Sequence, residues 1–95
     1  MLDEQTTSLD TLTQWATYVY TTMAHAKYER IDDGQTVYAE IPDFPGVWAT
    51  GPTFHECRAE LLSTLEDLLA YRLQRGITVP AIAGVPAPQA RPVVS

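Results

Sequence analysis

Tyr38-Ala39-Glu40-Ile41-Pro42-Asp43-Phe44-Pro45-Gly46-Val47-Trp48-Ala49-Thr50-Gly51 lies at the centre of the chain and decides how its fold is read. Thr36-Val37-Tyr38-Ala39-Glu40-Ile41 alternates side-chain character with the period of a half-buried strand. Pro42 cannot donate a ladder hydrogen bond and ends that strand. Phe44-Pro45-Gly46-Val47 carries Pro at the second position and Gly at the third, the chemistry of a type II turn, in which the third residue needs positive φ. Val47-Trp48-Ala49-Thr50 then reads as a short third strand, closed by Gly51-Pro52.

Working outward, Lys27-Tyr28-Glu29-Arg30-Ile31 alternates in the same way, and Asp32-Asp33-Gly34-Gln35 joins it to the next strand as a hairpin. Downstream, Thr53-Phe54-His55-Glu56 matches a capping box, with Thr53 as N-cap and Glu56 reaching back. Leu61, Leu62, Leu65, Leu68, Leu69 and Leu73 form a broad apolar helical face, Glu60, Glu66, Asp67 and Arg75 lie mostly elsewhere, and Gly76 stops the helix. Ile77-Thr78-Val79-Pro80 reads as a short edge strand. Upstream, Leu9, Leu12, Ala16, Val19, Met23 and Ala26 recur at helical spacing over roughly residues 8–26, widened by Trp15 and Tyr20, with Thr7 or Ser8 as cap. Thr11, Thr13, Thr17, Thr21 and Thr22 lower its intrinsic propensity, so this helix depends on docking.

The fold class expected is therefore α+β: an N-terminal helix, a three-stranded antiparallel meander, a long helix across it and a short fourth strand. Residues 1–7 are expected as a flexible N-terminus, 8–80 as a single domain, and the Pro/Ala-rich 81–95 as an extended flexible tail. About 70 ordered residues are near the lower limit for a self-sufficient core, which favours a homo-oligomer, dimer or tetramer.

Composition narrows the function. The chain has 95 residues, 6 Lys plus Arg against 12 Asp plus Glu, a formal charge of −6 and 45% apolar residues. Six scattered cations argue against direct nucleic-acid binding, which needs them clustered on phosphates. The single cysteine, Cys57, excludes an internal disulfide or a multi-Cys zinc site. The acidic, polar start is not signal-peptide chemistry, and no apolar run approaches a membrane span, so a cytoplasmic protein is expected. An acidic surface suits a basic partner.

The inventory of reactive groups is thin. Asp32, Asp33, Glu40 and Asp43 are the carboxylates nearest the sheet, and turn chemistry accounts for the first two. A metal enzyme built on Asp32, Asp33 or Asp43 is the weakest reading. His55 and Cys57 are two positions apart, which on a helix turns them to different faces. Cys57 reads as a core residue although it lies in a first turn. His25 reads as a helix-end residue that suits the dipole, and Trp15 and Trp48 as packing residues. There is no phosphate-cradling loop, nucleophile elbow or metalloprotease motif. No cofactor, no metal and no catalytic residue is expected.

Taken together, residues 27–80 resemble the HicB-like antitoxin family, whose N-terminal domain carries a Y-x-A-x-[IV]-P-[DE]-[LF]-x-G pattern, a [ST]-x-x-E helix start and a G-x-x-[IVL]-P ending. Pro42, Gly46, Thr53, Glu56, Gly76 and Pro80 fall on fixed positions of these patterns, and Pro45 and Gly51 complete the structural motif of the stretch. The resemblance implies a partial RNase H-like fold without nuclease chemistry. It also implies binding to HicA, a small basic toxin that cleaves messenger RNA, so that the toxin's active site is masked. The helix at 8–26 departs from the family pattern, and residues 81–95 match no helix-turn-helix or ribbon-helix-helix domain, so operator binding is not carried over. The alternative is a stand-alone oligomeric module that binds a small ligand or another protein without a toxin.

Overall fold

Alternation in residues 27–51 builds the three-stranded antiparallel sheet. A computed structural model describes residues 9–92 in the order α1 (Leu9–Met23), β1 (Lys27–Ile31), β2 (Thr36–Glu40), β3 (Trp48–Gly51) and α2 (Phe54–Arg75). The flexible N-terminus expected at 1–7 and the last three residues of the tail lie outside the described residues. The strands run in the order β1-β2-β3, with Glu29 opposite Tyr38 and Tyr38 opposite Thr50. Because side chains alternate across a strand, this register puts Tyr28, Arg30, Val37, Ala39, Ala49 and Gly51 on one face. Lys27, Glu29, Thr36, Tyr38, Glu40, Trp48 and Thr50 share the other. The long helix α2 packs on the first face, where Val37, Ala39 and Ala49 are buried.

Short-range chemistry shapes the connections. At the hairpin, Asp32 (φ 54°) and Asp33 (φ 55°) both adopt left-handed backbone, followed by Gly34 (φ 87°). Asp tolerates this region better than most residues, and positive φ at both central positions is the pattern of the turn that matches sheet twist. The Asp32 carboxylate also accepts from the Thr36 hydroxyl at 3.1 Å. Residues 41–47 form two successive turns. The Phe44 N–H donates to the Ile41 carbonyl (3.0 Å), the Val47 N–H to the Phe44 carbonyl (2.9 Å), and the Ile41 N–H to the Val47 carbonyl (3.1 Å). Gly46 takes φ 96°, as the type II turn requires. The loop thereby turns Ile41, Phe44 and Val47 inward and leaves Pro42 and Pro45 outside.

The start of α2 is fixed twice. Thr53 accepts from the Glu56 N–H at 3.1 Å as N-cap. Gly51 lies so close to the first turn that a Cβ there would stand 2.8 Å from the Cys57 nitrogen. Cys57, Leu61, Leu65 and Leu69, spaced four apart, form the buried row of α2. At the other end Gly76 (φ 70°) sends its N–H to the last carbonyls, and the Ile77 N–H reaches the Arg72 carbonyl at 2.8 Å, a Schellman-type closure.

The phase of α1 differs from the spacing read in the sequence. Its buried residues are Trp15, Tyr18, Val19, Thr22 and Met23, while Leu9, Leu12 and Ala16 stay exposed. Thr22 can be buried because its hydroxyl donates to the Tyr18 carbonyl at 2.8 Å, satisfying the group internally.

The fourth strand expected at 77–80 does not form. Pro80 has no N–H to give a ladder, and its carbonyl accepts instead from the Tyr18 hydroxyl, while Arg72 reaches the Thr78 carbonyl at 3.4 Å. Residues 81–92, expected as a flexible tail, pack against the body. Ile82 and Val85 exchange hydrogen bonds across a tight turn of Ala83 (φ 49°) and Gly84 (φ 82°). Ile82 and Pro88 are buried, and Arg91 lies 5.8 Å over the Trp15 ring. Proline lowers the entropy that ordering such a segment costs.

Two outcomes test this architecture. Gly46→Ala meets open space and suffers only from its backbone angle, so it should cost about 1 kcal/mol. Gly51→Ala must push the α2 backbone away and should cost more, ~2–3 kcal/mol; equal midpoints in urea would show that the strand–helix contact is looser than described. Burial, with a smaller contribution from Asp43, pushes the Tyr18 hydroxyl up to about 12. A raised tyrosine pKa stabilises the fold below the unfolded value and loses that stabilisation as pH rises through the folded value. Tyr18→Phe should therefore cost about 1 kcal/mol near neutrality. It should also flatten part of the stability loss between about pH 10 and 12, measured by urea denaturation at a series of pH values. An unchanged alkaline slope would show that the hydroxyl does not anchor Pro80.

Candidate functional site

The carboxylates weighed as a cluster do not converge. Asp32 and Asp33 occupy the β1–β2 hairpin, whereas Glu40 ends β2 and sits roughly 13 Å further along the strand. Asp43 lies on the following loop and pairs with His25 Nδ1 at 3.1 Å. His25 stands two residues beyond the end of α1 at Met23, where its N–H bonds to the Thr22 carbonyl (3.0 Å), and Asp43 is a second partner there. No group of three or more His, Cys, Asp or Glu among the described residues could hold a metal ion. His55 is exposed and Cys57 fully buried, with its thiol directed at the Ala49 carbonyl at 3.6 Å. Burial pushes the Cys57 thiol up, so the thiolate that would react is disfavoured.

The eight motif positions are divided between two structural tasks and one surface. Gly51, Thr53 and Glu56 seat the start of α2, and Gly76 and Pro80 close its end and anchor the tail. Pro42, Pro45 and Gly46 instead border a shallow depression of about 250 Å³ on the sheet face turned away from α2, with Tyr38, Glu40 and Trp48 completing its wall.

Tyr38 and Trp48 stack on that face with centroids 6.2 Å apart and planes 24° apart. Trp48 keeps 52% of its surface exposed. The Tyr38 hydroxyl donates to Glu40 Oε1 at 2.9 Å. That bond pushes the Tyr38 hydroxyl up, reinforced by partial desolvation and by the charges of Glu40 and Glu29. Glu29 is the cross-strand neighbour of Tyr38, and Lys27 that of Glu40. Two aromatic faces thus lie beside two carboxylates, an arrangement that attracts a guanidinium or ammonium by ring quadrupole and by charge.

The chain's own cations make the contrast sharper. Arg30 covers Phe54 at 4.8 Å, Arg72 covers Phe44 at 5.6 Å, Arg75 covers Tyr71 at 4.9 Å and Arg91 covers Trp15 at 5.8 Å. Four of the six basic side chains are therefore held over the protein's own rings, and no described cation covers the Tyr38–Trp48 pair. Trp48 is not a core residue: more than half of its surface is exposed on this face. The signal was strand parity: positions 38, 40 and 48 fall on the side opposite the buried Ala39 and Ala49.

Among the described residues, no helix is long and apolar enough to cross a membrane. A family model described as UPF0150-like matches residues 17–80, which takes in the second half of α1 as well as the sheet, α2 and the anchored Pro80. A crystal structure of TTHA0281 from Thermus thermophilus is similar at 47% identity and a TM-score of 0.70, over 82% of this chain and 93% of that one. No curated protein matches the chain. A model that spans two thirds of the sequence and a structural relative of this identity place the meander and its crossing helix in one lineage, and the chain belongs to the UPF0150-like family.

Proposed function

We propose that the protein is a non-enzymatic, protein-binding domain of the HicB-like antitoxin type, and that its partner is a small basic HicA-like toxin that cleaves messenger RNA. The observation that carries this reading is the exposed Tyr38–Trp48 stack flanked by Glu40 and Glu29. A nuclease must hold phosphates with cations and bases with flat surfaces. A face that offers carboxylates and aromatic rings competes for the same groups on the toxin, and so masks its active site. The charge of −6 assists the encounter, and the effect weakens with salt. Two features support leaving catalysis out: the carboxylates are dispersed, and the thiol is buried. Folding and binding take place in the cytoplasm in this reading.

The alternative, a stand-alone oligomeric module that takes a small ligand or another protein, draws on a second concavity, an open groove between α1 and α2. Isothermal titration against the product of a neighbouring short basic reading frame separates the two readings. With a true toxin partner, Trp48→Ala should weaken the complex about 30-fold or more, as a central aromatic anchor does. Glu40→Gln should weaken it less and reduce its salt dependence. No complex at about 10 µM and low salt with any such product, or Trp48→Ala binding as tightly as the wild type, would overturn the antitoxin reading.

A further inference from the structure

The exposed apolar side chains of this protein are not scattered. Leu9, Leu12, Ala16 and Tyr20 fall within about 80° of one another around α1, beside the buried row rather than opposite it. Leu9 is 80% exposed and Tyr20 74%. On α2, Phe54, Arg58, Leu62 and Glu66 form a row four residues apart; this row and Ala16 and Tyr20 of the first border one continuous groove, and Leu9 and Leu12 continue the α1 face beyond it. Tyr20, Met23, Ala24, Phe54 and Arg58 line one end, and Trp15, Ala16, Leu62 and Glu66 the other. The C-terminal end of α1 thus lies beside the N-terminal end of α2, and the helices run antiparallel. With Tyr28 at its end, the face holds five of the eight large apolar residues that are exposed among those described.

We propose that this face is a two-fold interface through which two copies of the chain associate. The argument for a second copy is the charge on the α2 row. Its two ionised side chains, Arg58 and Glu66, stand eight residues apart, about 12 Å along the helix, with Leu62 midway between them. Arg58 reaches no carboxylate among the described residues, where the ion pairs are His25–Asp43 and Arg91–Asp67. Nor is it among the arginines that cover a ring. A two-fold axis through Leu62 sets Leu62 against its own copy and brings each Arg58 opposite the Glu66 of the other chain. An isologous interface requires this self-complementarity, in which i meets j and j meets i. Two chains of charge −6 repel each other in general. On this face the charges balance, so the repulsion is least where the apolar surface is greatest. The antitoxin face lies on the other side of the sheet and stays open in such a dimer.

Analytical ultracentrifugation of the full chain from about 1 to 500 µM tests the proposal. The expected result is a mass that rises to twice that of one chain. Tyr20→Glu and Arg58→Glu, both on exposed side chains, should each raise the dissociation constant at least tenfold while far-UV circular dichroism stays unchanged. Arg58→Glu combined with Glu66→Arg should restore much of the loss, even though Glu66→Arg removes the acceptor that Trp15 Nε1 has at 3.5 Å. A mass of one chain throughout overturns the proposal, and that is also the outcome if the groove serves a small ligand or a different protein. A dimer that survives both Tyr20→Glu and Arg58→Glu overturns it too, by placing the interface elsewhere. Should one substitution unfold the chain, the other decides.

Discussion

The fold depends on how closely α2 approaches the sheet. Ala39, Ala49 and Gly51 are small where the helix crosses, and Gly51 leaves the Cys57 backbone room that a methyl group would close. Into this narrow seam α2 sends one straight row, Cys57, Leu61, Leu65 and Leu69, all fully buried. Burial of such a row outweighs the modest propensities of short strands and forms the centre of a core to which the sheet, α1 and the 41–47 loop all contribute. Thr53 fixes where the helix begins, so the row meets the seam in register. The loop 41–47 then adds Ile41, Phe44 and Val47 to the same core. The motif is thus a packing device first: its prolines and glycine bend the chain so that three apolar side chains reach the core within seven residues.

What was legible in the sequence was what is decided locally. The hairpin, the type II turn, the Thr53 N-cap and the Gly76 stop each rest on the stereochemistry of a few adjacent residues, and each forms as read; Glu56 meets the Thr53 hydroxyl at 3.5 Å instead of closing the second half of the capping box. The phase of α1 was not legible, because two apolar arcs lie side by side on it and only tertiary contact chooses between them. Trp15 and Tyr18 win over Leu9 and Leu12, since the large aromatics gain both burial and polar partners, Glu66 for the indole and Pro80 for the phenol. The seating of the 81–92 tail was not legible for a related reason. Its composition suggests an unfolded segment, but Ile82 and Pro88 find apolar seats and proline reduces the entropy cost of taking them.

The sheet divides the molecule into two surfaces with different physics. On one side, small side chains and a leucine row make a dry core. On the other, Lys27, Glu29, Tyr38, Glu40, Trp48 and Thr50 form an open face on which no described cation lies over the aromatic pair. The side chains able to make and break bonds are dispersed among the described residues. The surface that does converge was visible only as alternation, because parity tells which residues share a face but not which face is left uncovered.

The distribution of charge connects these surfaces. Arginines placed over Phe44, Phe54, Tyr71 and Trp15 cover part of each ring, and the long stems of these side chains add apolar cover, although Phe54 and Tyr71 stay about half exposed. Most of the twelve carboxylates remain without an ion-pair partner in the described structure, so the negative field is carried outward instead of being cancelled within. An acidic domain whose few cations are spread over its own rings offers no clustered positive patch for a phosphate backbone, and its net charge favours an encounter with a cationic protein. Arg58 and the Tyr38–Trp48 stack stand outside this pattern in opposite senses: among the described residues, one is a cation without an ion-pair partner and the other an aromatic pair with no cation over it. Both lie at the borders of concave surfaces, on opposite sides of the sheet. A small domain gains from this separation, because a contact that buries the groove leaves the aromatic face free.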